Sequence, residues 1–312
     1  MKLKQALRKG PVARVIVAEV KGSAPREIGA EMWVFAEGQQ GTIGGGTLEY
    51  EAAERARARL LSPGAQLSKH ALGPDLGQCC GGAVTLVTEV LHEAPASGIR
   101  AVALGERPAT LAVERARAAH RNGTAGARIS LIDGWMIETP EEPTRALWIW
   151  GAGHVGRALV GVISPFPDVA ITWVDIADDR FPGAPSEGEG ESDVTRISAA
   201  RPERLMAHAP RHAEHLILTY SHALDLALCD AALRRGFASC GLIGSKTKWA
   251  RFRSRLAAMG HGAAEISRIA CPIGDPALGK HPQAIAVSVA HRLLSNAEIA
   301  GDTLGDARPS RA

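Results

Sequence analysis

The stretch Leu147-Trp-Ile-Trp-Gly-Ala-Gly-His-Val-Gly-Arg-Ala-Leu-Val-Gly-Val-Ile163 decides the fold. A short apolar run ends at Trp150, glycines follow at 151, 153 and 156, and a helical pattern runs on from Arg157. A strand, a Gly-x-Gly-x-x-Gly turn and a helix open a doubly wound parallel sheet. The glycines permit a tight turn, close backbone approach to a pyrophosphate and close helix packing, and the helix N-terminus faces the anion. The pattern asks for an acid about 20 residues on, at the end of the second strand, and Asp175 closes Ala170-Ile-Thr-Trp-Val-Asp175 there. Gly151, Gly153, His154, Gly156 and Asp175 are therefore candidate cofactor-binding residues.

Downstream, apolar runs at 194–198, 215–219 and 238–243 alternate with helical patterns, as strands of the same parallel sheet should. The acidic Pro/Gly/Ser insert 182–192 cannot bury enough apolar surface to order itself and predicts a mobile loop. Upstream, Thr139-Pro-Glu-Glu-Pro-Thr144 punctuates the chain and marks a boundary. Before it, 12–20, 30–36 and 84–91 read as strands, 47–61 as a helix, and 101–138 carries weak strand signals ending at 135–137. The prediction is an α/β protein. Residues 1–140 form an N-terminal α+β domain, residues 141–300 a C-terminal Rossmann-like doubly wound parallel sheet, and residues 301–312 a flexible tail.

The chain has 312 residues, 46% hydrophobic and 22% charged, enough for two cored domains. Its 36 basic and 33 acidic residues are too evenly balanced for a nucleic-acid binder. No apolar run reaches the 18 or more residues of a membrane span, and Arg14 and Glu19 interrupt the best N-terminal stretch, so neither a membrane anchor nor a secretory signal is expected. Five cysteines, an odd count, fit a reducing compartment better than a disulfide framework. The expected state is a cytoplasmic homo-oligomer.

Three further segments carry candidate chemistry. Gly241-Leu-Ile-Gly-Ser-Lys-Thr-Lys248 runs from a strand into a helix, and Ser245 as cap with Lys246 at the helix start suits a phosphate. A solvated basic helix explains the same residues. Gly41-Thr-Ile-Gly-Gly-Gly46 places Gly44, Gly45 and Gly46 where backbone can approach a ligand or simply turn. Gly77-Gln-Cys-Cys-Gly-Gly82 sets Cys79 and Cys80 in a Gly-rich loop. Adjacent cysteines suit structural zinc poorly, but a thiolate there could hold a soft metal or exchange sulfur. Cys229 and Cys240 read as core residues, and Cys271 as the end of a strand. Ser221, His222 and Asp225 do not form a triad: adjacent Ser and His rarely face one another, and Ser221 as N-cap with Asp225 in the first turn fits a helix start. No catalytic residue and no resident metal site is assigned.

Taken with Gly22-Ser-Ala-Pro-Arg26 and Cys271-Pro-Ile-Gly274, these motifs, in this order, resemble the XdhC family of xanthine dehydrogenase accessory proteins. The chain departs from the expected apolar, Gly-rich continuation at Asp275-Pro-Ala-Leu-Gly279. The resemblance implies a non-enzymatic chaperone that binds molybdenum cofactor (molybdopterin) as cargo. It would shield the cofactor while a cysteine desulfurase installs its terminal sulfur, then hand it to an apo molybdenum hydroxylase such as the xanthine dehydrogenase large subunit. On that reading Gly151, Gly153 and Gly156 meet the phosphate, Lys246 pairs with it, and Cys79 or Cys80 lies near the metal. The alternative from the residues alone is an NAD(P)-dependent oxidoreductase with Asp175 on a ribose hydroxyl.

Overall fold

The computed structural model describes residues 6–73, 81–95, 98–139, 143–183 and 194–302, with side chains to 295. The chain divides into two compact units, the first Met1–Pro140 and the second beginning at Glu141.

In the first unit, β1 (Val12–Lys21), β2 (Glu31–Val34), β3 (Gln39–Gly41), β4 (Gly64–Ala71) and β5 (Ala83–Leu91) form an antiparallel sheet in the order β3-β2-β1-β5-β4. Helix α1 (Gly46–Ala58) packs on one face, where Ala13, Val15 and Val17 of β1 meet Leu48, Ala52 and Ala56. The alternate residues Ile16 and Ala18 face a second, three-stranded sheet of β6 (Arg100–Ala103), β7 (Ile129–Ile132) and β8 (Trp135–Glu138), through Ile129 and Met136. Strand β1 is thus buried on both faces, which is why its sequence is a nearly continuous β-branched run. Helix α2 (Leu111–Arg121), N-capped by Thr110, covers the small sheet and was not expected; its sequence, LAVERARAAHR, has Leu111 and Val113 as its large apolar residues and buries only Val113 and His120.

Arg14 of β1 is buried between the two sheets. It donates to Glu138 Oε1 at 2.6 Å and to Glu31 Oε2 at 2.7 Å, and Arg100 links the same Glu138 oxygen to Glu89. Burial opposes the charged forms, but the carboxylates outweigh it for Arg14, whose pKa is raised, and the two arginines hold Glu138 below the usual carboxylate value.

The second unit is a six-stranded parallel sheet of β9 (Arg145–Trp150), β10 (Val169–Asp175), β11 (Val194–Ser198), β12 (Glu214–Ile217), β13 (Ser239–Leu242) and β14 (Ile269–Ala270). The order β11-β10-β9-β12-β13-β14 is that of a doubly wound dinucleotide-binding sheet, with its topological switch between β9 and β12. Leu147 and Ile149 of β9 point to α3 (His154–Ile163) and α6 (Pro282–Asp302); Trp148 and Trp150 point to α4 (His222–Arg235) and α5 (Lys246–Ala258). The helix α6 continues through Asp302, past the start expected for the tail; 303–312, most of the insert 182–192, and Cys79 and Cys80 lie outside the described residues. No helix among the described residues is long and apolar enough to cross a membrane.

His215 of β12 is 0% exposed, with Trp148, Trp150 and Phe237 around it. Its Nδ1 accepts from Trp150 Nε1 at 3.2 Å, which fixes the neutral tautomer with the proton on Nε2. Burial pushes this imidazole down to about 4.

Candidate functional site

The turn after β9 is built as its sequence demands. Gly151 has φ +121°, and a Cβ there would lie 2.6 Å from the Leu218 carbonyl oxygen; a Cβ on Gly156 would run into the Gly151 carbonyl oxygen, so α3 packs directly on the turn. Gly153 is different, because the space around its Cβ position is open. It is also the N-cap of α3, whose first turn has no side-chain cap and no acidic residue. The first amides of a helix have no intrahelical acceptor, so this end carries free donors and a positive partial charge. His154 and Arg157 of the same turn line a cleft of about 630 Å³ with Gly161, His281 and Gln283.

Asp175 stands at the end of β10 and serves the turn itself. Its Oδ2 accepts the Ala152 N–H, its Oδ1 accepts the Ile176 N–H at 2.6 Å, and Arg180 Nε lies 3.6 Å from that oxygen. Its side chain is 4% exposed, so a ribose hydroxyl would have to displace a bond already made. The turn's carbonyls are engaged as well: Trp173 Nε1 donates to Gly151 O at 3.0 Å, and Arg157 Nε to Ala152 O at 3.1 Å.

A second group collects at the carboxyl ends of β12 and β13. Ser245 is the N-cap of α5, accepting from Lys248 N at 3.1 Å, while Lys246 at the helix start is exposed. The lysine that turns inward is Lys248, whose Nζ donates to Asp225 Oδ2 at 2.6 Å and to the Ile243 carbonyl at 2.9 Å. Asp225, 1% exposed, also accepts from Thr219 N at 3.0 Å and Thr219 Oγ1 at 2.7 Å. The Cys271 thiol donates to Gly244 O at 3.8 Å, and burial pushes it up to about 11 although Lys248 pulls the other way. Lys248 was legible in principle: it sits four residues before buried Phe252, itself four before buried Leu256, on the apolar stripe of α5, whereas Lys246 lies off it. Ser221 is the N-cap of α4, as expected, and Cys229 and Cys240 are core.

In the first unit three motifs converge. A Cβ on Gly44 would lie 2.7 Å from the Pro25 ring, Arg26 reaches the Thr42 carbonyl at 3.4 Å, and Ser23 bridges Gly81, with Gly82 packed on the Ser23 carbonyl. The loop amides do not stand free for a ligand. Glu49 Oε2 accepts from Ile43 N and Gly45 N, each at 3.0 Å, and from Thr42 Oγ1, while Gly44 N donates to Thr42 Oγ1 at 3.1 Å. Burial works against the ionised Glu49, yet these donors outweigh it and hold its carboxyl below the ordinary value. The Gly44–Gly46 segment is thus a tied structural turn at Gly44 and Gly45.

Sheet order, glycine turn and uncapped helix together define a Rossmann-type protein with an anion-ready turn. The profile described as the XdhC Rossmann domain matches residues 147–293, and that of the XdhC and CoxI family matches residues 6–69. Between them they cover more than half of the chain, which belongs to the XdhC family. Uncharacterized protein YqeB of Escherichia coli K12 is 25% identical over 296 residues, 91% of this chain and 43% of YqeB, so the chain spans less than half the length of that curated relative. A Bacillus halodurans crystal structure described as a xanthine dehydrogenase shares the fold over 95% of each chain, with a TM-score of 0.60 at 17% identity.

Proposed function

We propose that this chain is a xanthine dehydrogenase accessory protein that binds molybdenum cofactor, protects it during sulfuration by a cysteine desulfurase, and delivers it to apo xanthine dehydrogenase or a related molybdenum hydroxylase. The observation that carries this reading is the uncapped N-terminus of α3 beside the open space at Gly153, which suits the terminal phosphate of molybdopterin. Family membership supports an accessory role rather than turnover. The buried, already bonded Asp175 weighs against the NAD(P) alternative, which needs that carboxylate for a ribose hydroxyl.

The test is anaerobic incubation of the purified protein with molybdenum cofactor and, in parallel, with NAD(H), followed by gel filtration. Pterin and molybdenum near one per subunit, without NAD, are expected; NAD retained without pterin overturns the reading. Gly153→Val, whose new side chain enters open space, is expected to fold like the wild type and to bind the cofactor at least ~10-fold more weakly, a change of about 1.4 kcal/mol. Wild-type affinity in that variant puts the phosphate elsewhere. The Cys79→Ala, Cys80→Ala double variant should keep its thermal transition and lose cofactor retention, and unchanged occupancy removes those thiols from the metal.

A further inference from the structure

Tyr220 stands at the mouth of the switch-point crevice, three residues past the end of β12, and is 66% exposed. The backbone on both sides of it is pinned. Thr219 gives both its N–H and its hydroxyl to Asp225, Ser221 N donates to Thr219 Oγ1 at 3.2 Å, and Ser221 Oγ caps α4 at Leu224 N. The fold therefore holds an aromatic ring in solvent on a rigid support, an arrangement that contributes nothing to the core.

The ring is also coupled to the glycine turn. The Arg180 guanidinium, from the segment after β10, lies over Tyr220 at 5.1 Å from the ring centroid. The Arg180 carbonyl accepts from Arg157 at 2.8 Å, and Arg157 in turn holds the Ala152 carbonyl of the turn. Gly151 packs against Leu218 and Thr219 from the other side. Tyr220, Arg180 and the N-terminus of α3 thus form one hydrogen-bonded and packed assembly around the carboxyl ends of β9, β10 and β12.

We propose that Tyr220 is the stacking surface for the planar heterocycle of the ligand whose phosphate meets the glycine turn, with Arg180 holding the ring in place. The inference rests on the reading of that turn as a phosphate site and adds the residue that recognises the ring. A π-face accepts any flat heteroaromatic, so the ligand class is a phosphorylated heterocycle, and pterin and nucleobase are separated by experiment. Loss of a stacking aromatic side chain is expected to cost about tenfold in affinity, about 1.4 kcal/mol.

The test compares wild type, Tyr220→Ala, Tyr220→Phe and Gly153→Val by equilibrium dialysis against molybdenum cofactor, AMP and inorganic phosphate. Tyr220→Ala is expected to bind the cofactor about 10-fold more weakly, Tyr220→Phe within about twofold of wild type, and phosphate binding to be the same in all three. A matching loss on AMP identifies a nucleobase as an acceptable ring; a loss on the cofactor alone identifies the pterin. Cofactor binding lost in Gly153→Val but normal in Tyr220→Ala overturns this inference and leaves the phosphate site standing. Normal affinity of Tyr220→Ala with impaired transfer to the recipient enzyme also overturns it and makes the ring a protein-docking residue. Failure of the wild type to bind the cofactor overturns both.

Discussion

Asp225→Ala is expected to destabilise the protein by about 3–5 kcal/mol, read as a fall in the urea midpoint at unchanged slope. The carboxylate is 1% exposed and answers three donors, Thr219 N, Thr219 Oγ1 and Lys248 Nζ. Removing it leaves an ammonium whose side chain is 11% exposed with the Ile243 carbonyl and the face of the Phe252 ring but no counter-charge, which is the costly way to break a buried pair. Lys248→Met should cost less, because Asp225 keeps both bonds from Thr219. The double variant Asp225→Ala, Lys248→Met should recover part of the loss, since no unpaired charge remains. A single Asp225→Ala variant within 1 kcal/mol of wild type would show that water reaches this pair and that it does not hold the ends of β12 and β13 together.

His215 gives the second large effect, and its sign follows from burial. In the unfolded chain an imidazole titrates near 6.5, whereas in the folded protein it is held down to about 4. Above pH 6.5 the ring is neutral in both states and the group contributes no pH dependence. Between pH 6.5 and 4 the unfolded chain binds the proton and the folded one does not, so stability falls by about 1.4 kcal/mol per pH unit, about 3 kcal/mol in all. His215→Phe fills the aromatic pocket without a titrating group and should show a shallower decline over that range, whatever its stability at pH 7. Parallel wild-type and variant curves would mean that acid lability originates elsewhere.

The second unit was readable because its first strand, glycine turn and helix form one strongly patterned motif and its short apolar strands alternate with helical patterns. Trp150, the three glycines, the apolar α3 and Asp175 each point to the same strand, turn and helix. The first unit was harder. Strands β6, β7 and β8 have four residues each, too few for a two-residue period to stand out, and β4 is largely solvent-facing. At the sites, the sequence supplied residue types but not directions. Gly44 and Gly45 suggested backbone open to a ligand, yet Glu49, one helical turn on, takes the loop amides. Lys246 was nearer the helix start, but the apolar stripe of α5 selects Lys248. Tyr220 gave no periodic or motif signal; only the strand order puts it at the switch point.

The buried Arg14–Glu138 contact joins residues 124 positions apart. During synthesis, β1 leaves the ribosome long before the carboxylate that neutralises its arginine exists, and Glu31 is the earliest partner available. The two sheets of the first unit can therefore close over this charge only after translation has passed residue 138. A nascent chain halted earlier would carry the apolar strand β1 with an arginine paired to Glu31 alone and without the buried Glu138 carboxylate. The buried pairing of Arg14 thus requires the last strand of this half.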